Sequence, residues 1–123
     1  MSMVVIRRLH RTRNPGPDAT ITIFALTRVP HPATLRFCVQ VASVNIVALV
    51  DNGLSHNFIN REVAKTLALA ATPIPPFHVK VANGETLTSE HCYESVTITL
   101  QGEALEVDLY ELPIQGLDVV LGI

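Results

Sequence analysis

The 123-residue chain has no tryptophan, only two cysteines, and charged residues amounting to just 16%. It also has no apolar run long enough to cross a bilayer. The most apolar stretch, Val41 to Val50, is interrupted by Ser43 and Asn45, whereas a spanning helix needs about 20 consecutive apolar residues. No secretory signal is visible, because MSMVVIRRLHRTR carries its charge after the apolar residues and has no long apolar core. Cys38 and Cys92 are far apart and have no motif spacing, so they read as reduced thiols of an intracellular protein. Charge of one sign is not in excess either. Nine basic against eleven acidic residues give a net charge of -2, too near neutral for nucleic acid or an anionic membrane to be the main partner. The expectation is a soluble protein, cytoplasmic or nuclear, and not secreted.

The length suits one domain, and a hydrophobic content of 48% can supply its core. Arg7, Arg8, Arg11 and Arg13 crowd the N-terminus with His10. With no aromatics interleaved and Pro15-Gly16-Pro17 to end it, residues 1–18 read as a basic, disordered tail. The domain is expected over 19–123. ATITIFAL, residues 19–26, has strand alternation, and VPHPAT is a connector. Leu35, Phe37, Val39 and Val41 alternate with polar neighbours, then a break spans Ala42 to Asn45. Ile46 to Val50 is continuously apolar, as in a strand buried on both faces. Asn60 is a good N-cap for a helix of about two turns, which Pro73, Pro75 and Pro76 prevent from continuing. Ile59 and Ala64 form a weak hydrophobic staple around the cap, and Glu62 and Lys65 a solvated surface pair. Strands resume at Phe77. Val79 and Val81 lead to Asn83-Gly84, a strong hairpin signal in which both turn residues take positive φ. Val96, Ile98 and Leu100, the turn Gln101-Gly102, and Leu105, Val107 and Leu109 make a second hairpin. LDVVLGI, 117–123, is a buried strand. Many short strands with one short helix predict a mostly-β sandwich or barrel.

One position stands out chemically. The apolar strand IVALV ends in Asp51-Asn52-Gly53, followed by Ser55-His56-Asn57. A carboxylate at the end of a buried strand is costly unless something uses or satisfies it, and Gly53 permits a sharp turn and close ligand approach. Asp-Asn-Gly alone is also an ordinary turn. His31, His78 and His91 show no ligand spacing, so no metal site is indicated. Ser55 and His56 are not a hydrolase pair, since adjacent side chains point apart.

The wider context is more specific. VALVDNGLSHNFINREVAKTLAL, PPFHVKVANGETL, VTITLQG and VDLYELPIQGLDVVLGI together resemble the retropepsin-like aspartic protease domain of Ty3/gypsy-type retrotransposon polyproteins, especially plant ones, over roughly residues 24 to 123. The resemblance implies a single acid-protease lobe, a closed β-barrel of about six strands, two copies of which make one active site. Asp51 matches the catalytic aspartate, and Asn52, Gly53, Leu54 and Ser55 the active-site loop. Val81, Ala82, Asn83, Gly84 and Glu85 match the flap that closes over substrate. His56 and Asn57 fall in the loop-supporting block, and Leu121 and Gly122 in the late apolar-apolar-Gly strand beside the catalytic loop. The implied activity is peptide hydrolysis by a homodimer, without metal or other cofactor, on an extended peptide or polyprotein substrate.

Three features depart from that pattern. Asn52 stands where the family carries Ser or Thr. Leu54 replaces a small residue and is expected to crowd the subsite or the opposite loop. The chain stops at Ile123, where the family continues into a helix and often a strand, so the domain is expected to be truncated at its C-terminal end. Two functions remain open: an aspartic endopeptidase, or a catalytically degenerate remnant serving as a peptide-binding or self-association module.

Overall fold

The computed structural model describes residues 22–23, 34–51, 54, 56–81, 84–114 and 116–122. The basic segment 1–18 and the connector 29–33 lie outside the described residues, as do Asn52, Gly53, Ser55, Ala82, Asn83 and Ile123. The described chain forms β1 (Thr22–Ile23), β2 (Thr34–Val41), β3 (Val44–Asp51), β4 (Phe58–Asn60), α1 (Arg61–Thr66), β5 (Thr72–Val81), β6 (Thr86–Leu100), β7 (Glu103–Leu112) and β8 (Val119–Gly122). Of the strand expected at 19–26, only the two residues of β1 are described, and they pair parallel with β5.

Closure of the sheet follows from the pairing. Strand β6 bonds both β2 and β7, and from β2 the sheet runs through β3, β8 and β4 back to β7. These strands form a closed barrel, which decides between the sandwich and barrel left open by the strand pattern and agrees with the closed lobe, with one short helix, that the resemblance implies. Strand β5 branches from the first half of β6, with β1 on its outer side.

Successive strand residues point to opposite faces, and here both faces of the central strands are covered. Ala48 and Val50 of β3, Ile59 of β4, Val107 and Leu109 of β7, and Val119 and Leu121 of β8 join one apolar layer with β2, the second half of β6 and α1. Their neighbours Leu49, Phe58, Tyr110, Leu112 and Val120 join a second layer with Leu54, Phe77, Val79 and Val81. That double burial is why β3 and β8 read as unbroken apolar runs. The second cover stops short of Val47, which is 42% exposed, contrary to the expectation for the whole run. Leu35, at the far end of the β2 alternation, is 45% exposed.

Several boundaries differ from the pattern reading. The break after β2 is a two-residue turn, Ala42-Ser43, with both φ positive (51° and 66°), so β3 resumes at Val44. Strand β5 begins at Thr72, ahead of the prolines, because Thr72 and Pro73 pair with Cys92 and His91; the register then shifts before Phe77. Proline offers no amide to a ladder, so Pro75 and Pro76 fit that irregular stretch. Strand β6 is continuous through 88–95, where no strand was expected. Its alternation is broken by a bulge: Tyr93 pairs with Leu109 and Val96 with Val107, so Glu94 and Ser95 oppose Asp108 alone. Ser95 has φ 52°, and its amide donates to Asp108 Oδ1 at 2.8 Å. The inserted residue turns both Tyr93 and Val96 toward the first layer.

Candidate active site

Asp51 is the last residue of β3. It pairs with Thr34 on β2 and with Gly122 on the parallel β8. Its side chain lies on the Leu49 face and is 2% exposed. Two buried strands therefore deliver an acid and a glycine side by side at one end of the barrel.

The chain leaving Asp51 is held against β8 from several directions. Asn57 is fully buried. Its Oδ1 accepts from the Gly122 amide at 2.9 Å and its Nδ2 donates to the Asp108 carbonyl at 3.4 Å. Its own carbonyl accepts from the Tyr110 amide at 2.9 Å. Gly122 leaves room for this approach: a Cβ there would stand 2.6 Å from the Leu54 carbonyl oxygen and 2.8 Å from that of His56. The buried His56 ring lies among Phe58, Phe77 and Tyr110, with centroids 6.4, 6.0 and 5.5 Å away. Phe77 and Tyr110 meet edge to face at 5.3 Å.

Leu54 does not project into a cleft. It is 3% exposed and belongs to the second layer with Leu49, Leu117 and Val120. The expected crowding is corrected on this point: the larger side chain fills the core beneath the loop. Leu121 faces the first layer, opposite Val50 in the ladder.

The β5–β6 hairpin closes with two bonds, Val81 N–H to Glu85 O at 2.9 Å and Gly84 N–H to Val81 O at 3.0 Å. With Lys80 opposite Thr86, the loop has three residues, not the two that Asn-Gly suggested. Gly84, at φ 93°, takes the left-handed position that ends such a loop. Gly84 and Glu85 are exposed, whereas Val81 at the hairpin root is buried in the same layer as Leu54. The hairpin and the loop after Asp51 thus share one packing layer.

A second polar cluster escaped the sequence reading. Glu111 is buried on β7, where Oε1 accepts from Arg61 Nε at 2.8 Å and Oε2 from the Tyr93 hydroxyl at 2.5 Å. His91 Nδ1 stands 3.7 Å from Oε1. Burial opposes ionisation of Glu111, but the Tyr93 and Arg61 hydrogen bonds and the charges of Arg61 and His91 outweigh it and hold the carboxyl below its ordinary value. Burial, and then the bond and charge of Glu111, push the Tyr93 phenol well above its ordinary value. The signal in the sequence was an acid in phase with Val107 and Leu109 on an alternating strand. Cys38 is an exposed and Cys92 a buried free thiol. Among the described residues no group of His, Cys, Asp and Glu could hold a metal ion, and no helix is long and apolar enough to cross a membrane.

A family model described as retroviral aspartyl protease matches residues 28–123, the span holding Asp51, its loop, the β5–β6 hairpin and β8. The chain belongs to the retroviral aspartyl protease family. The barrel is also similar in structure to the retroviral protease-like domain of Ddi1 from Leishmania major. The two superpose with a TM-score of 0.56 at 14% identity, covering 75% of this chain and 74% of that one, a likeness of fold. No curated protein matches the chain.

Proposed function

We propose that this retroviral aspartyl protease domain is an aspartic endopeptidase of Ty3/gypsy retrotransposon origin, active as a homodimer on extended peptide segments of a polyprotein. The observation that carries the reading is Asp51, 2% exposed at the end of β3 and paired in the ladder with Gly122. In the homodimer two Asp51 carboxylates face each other. Like charges so close do not both ionise easily, as is general for aspartic-protease dyads, so the pair shares one proton and titrates as a unit. One carboxylate takes a proton from water while the protonated one polarises the scissile carbonyl. The chain's Asn52, Gly53 and Ser55 shape the cleft, and the flap residues Val81 to Glu85 offer main-chain bonds to substrate. No metal or other cofactor takes part.

A second reading, a degenerate remnant that binds peptide or self-associates, rests on Asn52. Its amide can donate and accept like the usual hydroxyl, but it is longer and planar. A displacement of about 1 Å in a catalytic constellation costs on the order of 10²-fold in rate. The deciding experiment is cleavage of an unstructured protein at about pH 4–6, with sedimentation of the same sample. The expected result is a dimer whose cleavage is blocked by a statine-containing peptide and falls by at least about 10²–10⁴-fold in Asp51→Ala. Asn52→Ser is expected to raise the rate. A strict monomer, or no cleavage by either the wild type or Asn52→Ser, refutes the enzymatic reading.

A further inference from the structure

Asn60 joins three elements through five hydrogen bonds. Its Oδ1 accepts from the Glu62 and Val63 amides at 2.7 and 3.4 Å, capping α1. Its Nδ2 donates to the carbonyls of Ile114 and Leu117 at 2.7 and 3.0 Å. Its backbone amide donates to the Asp118 carbonyl at 2.8 Å. The cap was legible in the sequence; the grip on 114–118, more than fifty positions away, was not.

The gripped segment bears directly on the site. Ile114 and Leu117 pack in the layer that also holds Leu54 of the active-site loop and Val81 of the flap root. Asp118 leads into β8, and its Oδ2 accepts from the Val47 amide of β3 at 2.8 Å. Four residues later Gly122 lies beside Asp51. Ile114, Leu117 and Asp118 are therefore tied to β3 through Asp118 and to β4 and α1 through Asn60, at the entrance of the strand that flanks Asp51.

We propose that Asn60 is a positioning residue: through Nδ2 it fixes Ile114 and Leu117, and through them it fixes Gly122 beside Asp51 and the apolar floor under the flap. The effect on turnover rests on the proposed peptidase activity; the coupling itself does not. The two roles use different atoms of one side chain. Asn60→Asp keeps an oxygen for the cap, a residue type favoured there, but sets an acceptor against two carbonyls. Asn60→Ser keeps a capping oxygen without the repulsion and without the amide donor.

The test measures amide hydrogen exchange residue by residue, with kcat and KM for one peptide substrate, in the wild-type chain and both variants. In Asn60→Asp, amides of Leu117 to Gly122 are expected to exchange about tenfold faster or more, the factor for loss of about 1.4 kcal/mol of local hydrogen bonding. Amides of α1 are expected to stay within about twofold, since the cap persists. KM is expected to rise and kcat to fall. Asn60→Ser is expected to show the same uneven pattern at smaller amplitude, and it serves alone where Asn60→Asp does not fold. Uniform acceleration in α1 and 117–122, or none in 117–122, overturns the coupling. Uneven acceleration with unchanged kcat and KM overturns the positioning role. If the wild-type chain cleaves nothing, the peptidase reading falls, and the exchange pattern still decides the coupling.

Discussion

The two layers on either side of β3, β8, β4 and β7 are built from alternate residues of the same strands, yet they differ in chemistry. The first is largely aliphatic, with Val, Ile, Leu and Ala from β2, β3, β6, β7, β8 and α1 around one tyrosine. The second carries Phe58, Phe77, Tyr110 and Cys92, and it reaches into the Asp51 loop through Leu54 and to the end of β5 through Val81. Asp51, His56 and Asn57 are buried on or beside this second side. Aliphatic packing tolerates many arrangements of about the right volume, whereas rings and buried polar groups demand particular geometry. One face therefore closes the barrel, while the other ties the Asp51 loop to the end of the β5–β6 hairpin.

Truncating one residue in each layer is expected to have the largest effect. Ile98 and Phe77 are both fully buried. Phe77→Ala is expected to cost about 3–5 kcal/mol and Ile98→Ala about 2–5 kcal/mol, read as shifts of the urea midpoint. The separating measurement is kcat/KM per folded molecule, well below each midpoint. Phe77→Ala removes the ring that packs on His56 and Tyr110 beneath the flap, so kcat/KM is expected to fall. Ile98→Ala is expected to leave it unchanged. Equal losses in both variants show that the layers are not functionally distinct.

A smaller change, one methyl group, sharpens the same point. Gly122→Ala places a Cβ within 3 Å of two backbone oxygens of the Asp51 loop, and backbone cannot rotate out of the way as a side chain can. An overpacking cost of about 1–3 kcal/mol is expected. Displacing the loop by about 1 Å is expected to cost on the order of 10²-fold in kcat. A variant with full activity and an unshifted midpoint shows that the loop has slack there.

How much of this was legible depended on whether burial left a regular trace. Strands β3 and β8 showed as apolar runs because they are covered on both faces. The Asn60 cap and the Glu62–Lys65 pair, 3.8 Å apart, were local and so were readable. Strand β4 was not, because three residues cannot display a period of two, and its parallel pairing with β7 is wholly nonlocal. The middle of β6 was hidden by the Ser95 bulge, which inverts the alternation, and the start of β5 by its prolines. In the site, Asp51 and Gly122 came from ordered blocks resembling a family. Which way Leu54 points could not, since a bulky residue beside a catalytic loop serves core or cleft equally well until the layer beneath it is known.

The Glu111 cluster supplies the smallest test, because it makes the aliphatic side depend on one polar contact set with Arg61 of α1 and Tyr93 of β6. Glu111→Gln keeps the shape and one acceptor for Arg61, turns an amide donor toward the Tyr93 hydroxyl, and removes the charge. Charge-assisted hydrogen bonds exceed neutral ones by about 1 kcal/mol each, so a loss of about 1–2 kcal/mol is expected at neutral pH. Since the folded carboxyl titrates below its ordinary value of 4.5, its contribution is complete above that pH. It fades as pH falls through the lower folded value, where the carboxylate takes up its proton. Urea midpoints of wild type and Glu111→Gln should therefore stay a constant distance apart from neutrality down to about pH 4.5 and converge below it. Tyr93 acts in the opposite sense: with its phenol raised, its contribution holds below about pH 10 and declines as pH rises beyond it. Convergence on the alkaline side alone contradicts the direction assigned to Glu111. Convergence on the acid side, with kcat/KM per folded molecule unchanged between the two chains, separates what holds the barrel together from what shapes the cleft.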